Sequence, residues 1–183
     1  FDYIDIHVRM FERMYNRRLS GYSSIGYKMK GELFSKPDKK EENVDIIFDK
    51  TNFYPVFSSD INHAKREILI VSPFVTKRRT QQIIRNLEPA LAKKVKVTVV
   101  TRSSEDFQNK DLTAWTEVTK QLEVSGIHLV YKSNIHQKFA IFDQKIVWYG
   151  SINLLSYGSA EESMMRIESN KIAYELMGSL EKE

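Results

Sequence analysis

Apolar residues recur with two different periods along this chain. Over residues 1–20 they stand at Ile4, Val8, Phe11, Tyr15 and Leu19, the three-and-four spacing of one helix face. Glycine and serine then punctuate residues 20–31, and Lys36-Pro37-Asp38-Lys39-Lys40-Glu41-Glu42 reads as a charged linker. From Asn43 onward the pattern changes. Helical stretches at Tyr54–Arg66, Thr80–Lys93 and Asp111–Ser125 alternate with β-branched runs at Ile68–Val71, Val95–Val100 and Ile127–Tyr131. Alternation of this kind belongs to an α/β fold, a β-sheet flanked by helices. Two further β-rich runs, Lys138–Phe142 and Lys145–Tyr149, are separated only by Asp143-Gln144 and predict a hairpin. A strand over Ser163–Ile167 and a terminal helix from Lys171 complete the order. The expected organisation is an N-terminal helical extension with a linker over residues 1–43, and one α/β domain over residues 44–183.

Composition sets limits on this picture. A chain of 183 residues with 42% hydrophobic content suits one domain with a sizeable core. No run reaches membrane-spanning length and no segment has the shape of a signal peptide, so a cytoplasmic chain without stable membrane insertion is expected. The first residue is Phe1 rather than methionine, which fits a piece of a larger polypeptide or a processed chain. Without cysteine there can be neither a disulfide nor a thiolate zinc site. No close cluster of His, Asp and Glu suggests a metal or another cofactor, and none is expected.

The net charge of +4 is modest, so its distribution carries more information than its total. Lys77-Arg78-Arg79 is the densest cluster and falls at a predicted strand-to-helix junction, with Lys93, Lys94, Lys96 and Arg102 adding to it. Taken alone it fits a solvated face as well as a nucleic-acid contact.

The chemistry concentrates in His136, Lys138, Asp143, Gly150, Ser151 and Asn153. A two-residue loop at Asp143-Gln144 would pair Phe142 with Lys145, Lys138 with Tyr149 and His136 with Ser151. Strand alternation would then turn His136, Lys138, Ser151 and Asn153 to one face. An imidazole, an ammonium, a hydroxyl and an amide gathered in this way suit a bound phosphate. Asp143 falls in the turn and reads as structural, and Gly150 either relieves crowding or permits close backbone approach. His7, His63 and His128 lack matching neighbours and read as structural.

The spacing H-x-K-x4-D-x6-G-S-x-N places six identities within eighteen positions, and it resembles the active-site signature of the phospholipase D superfamily. The element order over residues 44–183 is similar to a phospholipase D-like domain, a mixed sheet between helices. Phe57–Ala64 with Ile68–Val75 further resembles single-signature versions attached to bacterial helicases and restriction-type enzymes. One departure is that Lys93-Lys94-Val95 lacks the glycine expected before the strand. The resemblance also implies a site glutamate after the asparagine, for which Glu162 is chosen and Glu161 is the alternative.

In that superfamily two signatures meet at one site, and this chain has one. A symmetric homodimer would supply the second, as would a half-site in sequence beyond that given. The implied mechanism is metal-independent transfer through a phosphohistidine at His136, with Lys138, Ser151 and Asn153 stabilising charge. The leading expectation is a nuclease acting on nucleic acid, DNA ahead of RNA, with Lys77, Arg78 and Arg79 contributing nucleic-acid contacts without taking part in the chemistry. The rivals are a phospholipid phosphodiesterase or phosphatidyltransferase, and an inactive nucleic-acid-binding module of a larger helicase or restriction protein.

Overall fold

The computed structural model describes residues 47–181 apart from 108, 157, 159 and 160. The predicted N-terminal helix and the charged linker lie outside the described residues. Two compact units divide the chain, Phe1–Phe48 and Asp49–Glu183. Strands β1 (Ile47–Asp49), β2 (Glu67–Val71), β3 (Lys96–Thr101), β4 (His128–Tyr131), β5 (Phe139–Phe142), β6 (Ile146–Gly150) and β7 (Ser163–Glu168) form one sheet in the order β1-β7-β6-β5-β2-β3-β4. Helices α1 (Phe53–His63), α2 (Lys77–Ala92), α3 (Asn109–Val124) and α4 (Asn170–Glu181) alternate with them. β2, β3 and β4 run parallel, whereas β5 is antiparallel to both β2 and β6, and β6 to β7. This is the mixed α/β sheet that the alternating periods predict. No helix among the described residues is long and apolar enough to cross a membrane.

Each face of the sheet has its own core. On one, Val71, Val100, Phe139, Ile141 and Val147 pack with Ala173, Leu176 and Met177 of α4. On the other, Trp148 and Phe142 meet Phe57 of α1 edge-on at 5.6 Å, a geometry that adds about 0.5–1.5 kcal/mol per pair beyond area burial. All four residues of β5 are buried, as a central strand covered on both sides requires. A buried carboxylate ties the second face together. Asp60 of α1 accepts the Trp148 indole N–H at 2.7 Å and two guanidinium bonds from Arg166 at 2.8 and 2.9 Å. Every strong partner of that charge is therefore present, and removing one would cost about 3–5 kcal/mol.

α1 stops at His63, three residues before the predicted end. The reason is competition for backbone donors. Lys65, Arg66 and Glu67 give their N–H groups to the Asp143 carboxylate at 2.9, 2.8 and 3.0 Å, so none can close a helical turn. Arg66 Nη2 also donates to the Asp143 carbonyl at 2.7 Å. Burial pushes the Asp143 carboxyl up, yet the three backbone bonds and the Arg66 charge together hold it below its ordinary value.

The two parallel crossovers end their helices in the same way. After α2, Val95 N–H reaches the Ala90 carbonyl and Lys94 N–H the Leu91 carbonyl. After α3, Ile127 N–H reaches Leu122 and Gly126 N–H reaches Glu123. Both are Schellman closures and need a left-handed residue. Gly126 supplies it with φ 84°, and Lys94 with φ 61°. The position where a glycine was expected therefore does adopt a glycine-like backbone.

The hairpin register differs from the two-residue expectation by one position. Asp143 and Gln144 have φ 52° and 56°, and Lys145 N–H closes on the Phe142 carbonyl. The ladder nevertheless pairs Phe142 with Ile146 and Phe139 with Tyr149, not Lys138 with Tyr149. Lys145 is an extra residue on the β6 side, its carbonyl taken by Ser169 N–H at 2.8 Å, and this bulge shifts the pairing.

Two outcomes test these features. Lys94→Gly should raise the melting temperature and Lys94→Val should lower it, because a left-handed backbone costs an L-residue roughly 1–2 kcal/mol, most for a β-branched one. Asp143→Ala should cost about 1–3 kcal/mol at neutral pH, read from urea unfolding. Because the folded pKa of Asp143 is lowered, its contribution is present above the unfolded carboxyl value of about 3.9 and fades as pH falls through the folded one. The stability difference between wild type and variant should therefore shrink in acid.

Candidate active site

The registers bring one end of β2, β3, β5, β6 and β7 together. Val71 at the end of β2 pairs with Phe139 at the start of β5, which pairs with Tyr149 near the end of β6. Gly150 then pairs with Met164 near the start of β7. His136 and Lys138 precede β5, Ser151 and Asn153 follow β6, and Glu162 precedes β7, so all five are brought to this end. Arg102 joins them from the end of β3. In open α/β sheets the C-terminal ends of the parallel strands are where ligands bind.

Alternation along the segment before β5 is visible in its partners. Ile135 and Phe139 belong to the α4-side core, and Gln137 Oε1 accepts a bond from Ser179 of α4. His136 and Lys138 therefore take the opposite face, the one carrying Trp148 and Arg166. His136 is exposed, and Lys138 Nζ donates to its carbonyl at 2.8 Å. Arg102 Nη2 stands 2.9 Å from His136 Nε2 and 3.2 Å from Nδ1.

The corrected register changes how the second half of the signature arrives. Gly150 N–H bonds to the Lys138 carbonyl at 3.2 Å, setting Gly150 rather than Tyr149 beside Lys138. A Cβ on Gly150 would lie 2.1 Å from the Ser163 carbonyl oxygen, so β7 leaves no space for a side chain. Ser151 exchanges bonds with the same residue. Its N–H reaches the Ser163 carbonyl at 2.8 Å, and its hydroxyl accepts from Ser163 N–H at 2.9 Å. β6 ends at Gly150, so strand alternation no longer decides where Asn153 points. Hydrogen bonds to the following turn do. Arg79 Nε holds the Leu154 carbonyl at 3.1 Å, Ser72 Oγ accepts Leu155 N–H at 3.1 Å, and Thr76 N–H binds the Leu155 carbonyl at 2.8 Å.

Asn153 is half-buried and its Oδ1 is buried with no hydrogen-bond partner among the described residues. Such an atom forgoes about 1–3 kcal/mol, and a ligand donor would recover it. Glu162 is turned inward while Glu161 is exposed. Glu162 Oε2 lies 3.1 Å from Lys50 Nζ as an ion pair, although no hydrogen bond among the described residues meets that oxygen. Gly158 leaves room for the carboxylate, since a Cβ there would come within 3.0 Å of Oε1.

The basic cluster does not form one surface. Lys77 and Arg78 are exposed, and Lys77 pairs with Glu117 of α3. Arg79 is 4% exposed, with its guanidinium over Tyr54 at 4.7 Å and a bond to Gln82 Oε1. Helical geometry explains the split, because consecutive residues point about 100° apart and only the third faces the sheet. Arg79 thus belongs to the scaffold beneath Asn153, not to an exposed basic patch. Asp143 lies at the far end of β5, away from the site. His63 bonds to the Ser59 carbonyl of its own helix, His128 starts edge strand β4 at the far end, and His7 is outside the described residues. The contact that sequence reasoning missed is Arg102 on His136. Its one signal is position, directly after a valine-rich strand of the parallel set.

The sequence profile of the family described as "Cardiolipin synthase, PLD-like domain" matches residues 57–183. No curated protein matches the chain by sequence. Among solved structures, the phospholipase D family member Nuc from Salmonella typhimurium is similar at TM-score 0.55 and 23% identity, over 68% of this chain and 82% of that one. NucT from Helicobacter pylori is similar at TM-score 0.56 and 18% identity, over 73% and 90%. Phosphatidylserine synthase from Haemophilus influenzae Rd KW20 reaches TM-score 0.59 at 14% identity, over 73% of this chain and 35% of its own. At these identities the structures speak for the fold, while the profile spans well over half of the sequence. With the signature residues at one end of a sheet of this topology, the chain belongs to the PLD-like domain family of the phospholipase D superfamily.

Proposed function

We propose that the chain is a metal-independent phosphodiesterase whose substrate is nucleic acid, DNA ahead of RNA. The observation that carries this reading is the bond between Gly150 N–H and the Lys138 carbonyl, which sets the two halves of the signature side by side. His136 would attack phosphorus, forming a phosphohistidine as the P–O bond to the leaving group breaks. Lys138 and Asn153 would stabilise the non-bridging oxygens, with Ser151 bracing the turn and Glu162 orienting an imidazole. The leaving oxygen takes its proton from a second imidazole, that of His136 in a symmetry-related copy, and water reverses the steps.

A phospholipid diester is the second reading, favoured by the name of the matching family. The names Nuc and NucT favour nucleic acid. A role inside a larger helicase or restriction-type polypeptide is compatible with either.

Labelled single-stranded DNA, duplex DNA, RNA and phospholipid vesicles, each incubated with excess chelator, should separate these readings. DNA should be cut and the vesicles left intact, and a requirement for added magnesium would contradict the mechanism. His136→Ala should abolish turnover while leaving folding, dimerisation by light scattering and DNA affinity largely unchanged, and quenched wild type should carry a phosphoryl group on the peptide containing His136.

Replacing Lys77 and Arg78 together by alanine should weaken DNA binding and reduce the slope of log affinity against log salt by about 2 units, without changing the rate at saturation. Arg79→Ala should act differently. It should lower the melting temperature and the saturated rate through the Leu154 turn, and leave the salt slope unchanged.

A further inference from the structure

Arg102 is a cation that the signature does not include and that nevertheless touches its histidine. Its guanidinium is fixed on three sides. Nε donates to the Ile135 carbonyl at 3.1 Å, Cζ lies 4.6 Å from the centre of the half-exposed Phe74 ring, and Nη2 reaches both imidazole nitrogens of His136. Four other cations of this unit are matched with carboxylates: Lys50 with Glu162, Lys77 with Glu117, Lys145 with Glu168 and Arg166 with Asp60. Among the described residues no carboxylate pairs with Arg102. Nearly equidistant from the two ring nitrogens, Nη2 lies against the face of the imidazole that a nucleophilic histidine would present.

We propose that Arg102 binds a non-bridging oxygen of the phosphodiester attacked by His136, and covers the imidazole ring until that diester takes its place. The proposal rests on the phosphodiesterase reading above and adds a residue to that site. The exchange is favourable because a guanidinium–phosphate bond is charge-assisted and can be bidentate, whereas an imidazole nitrogen offers one neutral acceptor. Moving onto the diester uncovers the imidazole as phosphorus arrives. The guanidinium then meets the charge that grows on the equatorial oxygens while the N–P bond forms and the P–O bond to the leaving group breaks. Phe74 positions Arg102 by supporting its flat face.

Three readouts on the full chain test this. Diethyl pyrocarbonate acylates unprotonated imidazole, and mass spectrometry can compare the His136 peptide with exposed His63 and His128 as internal references. Arg102→Ala should speed acylation of His136 relative to both references, and Phe74→Ala should do so to a smaller degree without removing the bond to Ile135. In kinetics, Arg102→Ala should lower kcat/KM about 100-fold for a single-stranded oligonucleotide, and also for bis(p-nitrophenyl) phosphate, because the contact is to the attacked phosphate itself. In the third readout, the Arg102 Nε–H NMR signal of wild type should shift on titration with dimethyl phosphate, a diester too inert to turn over. Unchanged acylation of His136 in both variants, undiminished diester cleavage by Arg102→Ala, or a stationary Arg102 signal would each overturn the proposal. A moving signal and faster acylation in a protein that cleaves no diester would uphold the Arg102 contact and remove the phosphodiesterase reading instead.

Discussion

The carboxylate of Asp143 is the constraint on which the site end of this sheet depends, although it lies at the opposite end. It gathers three consecutive backbone N–H groups at the entry to β2, and in doing so stops α1 and starts the strand. The same residue opens the β5–β6 turn, so one side chain fixes β5 lengthwise against β2. Ile68 then lies opposite Phe142, and Val71 opposite Phe139. Strands are inextensible at about 3.3 Å per residue, so a register set at Asp143 is also set five residues earlier at Lys138. A one-residue slip would turn His136 and Lys138 toward α4 and into its apolar core. The aspartate of the signature therefore governs the placement of the histidine and lysine without approaching them.

Much of this was readable from periodicity. β5 and β6, the parallel strands and the helices between them follow from runs of period two and period three to four, because burial on one or both faces selects those patterns. What periodicity could not supply were interactions between residues distant in sequence. The end of α1 depends on a carboxylate about eighty positions away, and local propensity at Lys65 and Arg66 carries no trace of it. The bulge at Lys145 depends on a carbonyl drawn to Ser169, a residue of the neighbouring connection. Lys94 shows the converse case, since the backbone demanded a left-handed residue and the sequence supplied one that tolerates the position poorly.

The signature itself was legible as identities and less so as geometry. His136, Lys138 and the glutamate at 162 reach one face by the alternation that strands enforce. Ser151 and Asn153 were assigned to that face by an extended register that ends at Gly150, and Asn153 is instead delivered by a turn held from α2 and the end of β2. Arg79 shows the same limit. A cationic triplet in sequence suggests a surface, yet a helix distributes three neighbours over most of a circle, and the one facing inward here braces the Leu154 carbonyl.

Arg79 and Arg102 show how environment sorts one residue type into two roles. Arg79 is enclosed by Phe53 and Tyr54 and spends its donors on Leu154 and Gln82, which makes it a fixed strut. Arg102 rests on a half-exposed ring, spends Nε on the Ile135 carbonyl and keeps Nη2 against the imidazole of His136, with no carboxylate among the described residues to hold it. A cationic donor without an anionic partner is ready to change partner when an anion arrives. The unmet oxygen of Asn153, on the turn that Arg79 braces, has the complementary need for a donor. A phosphodiester there would accept from Arg102 and bring the chemistry that uses the histidine beside it, but its oxygens offer no donor, so the need of the Asn153 carbonyl would be met by another group of the ligand.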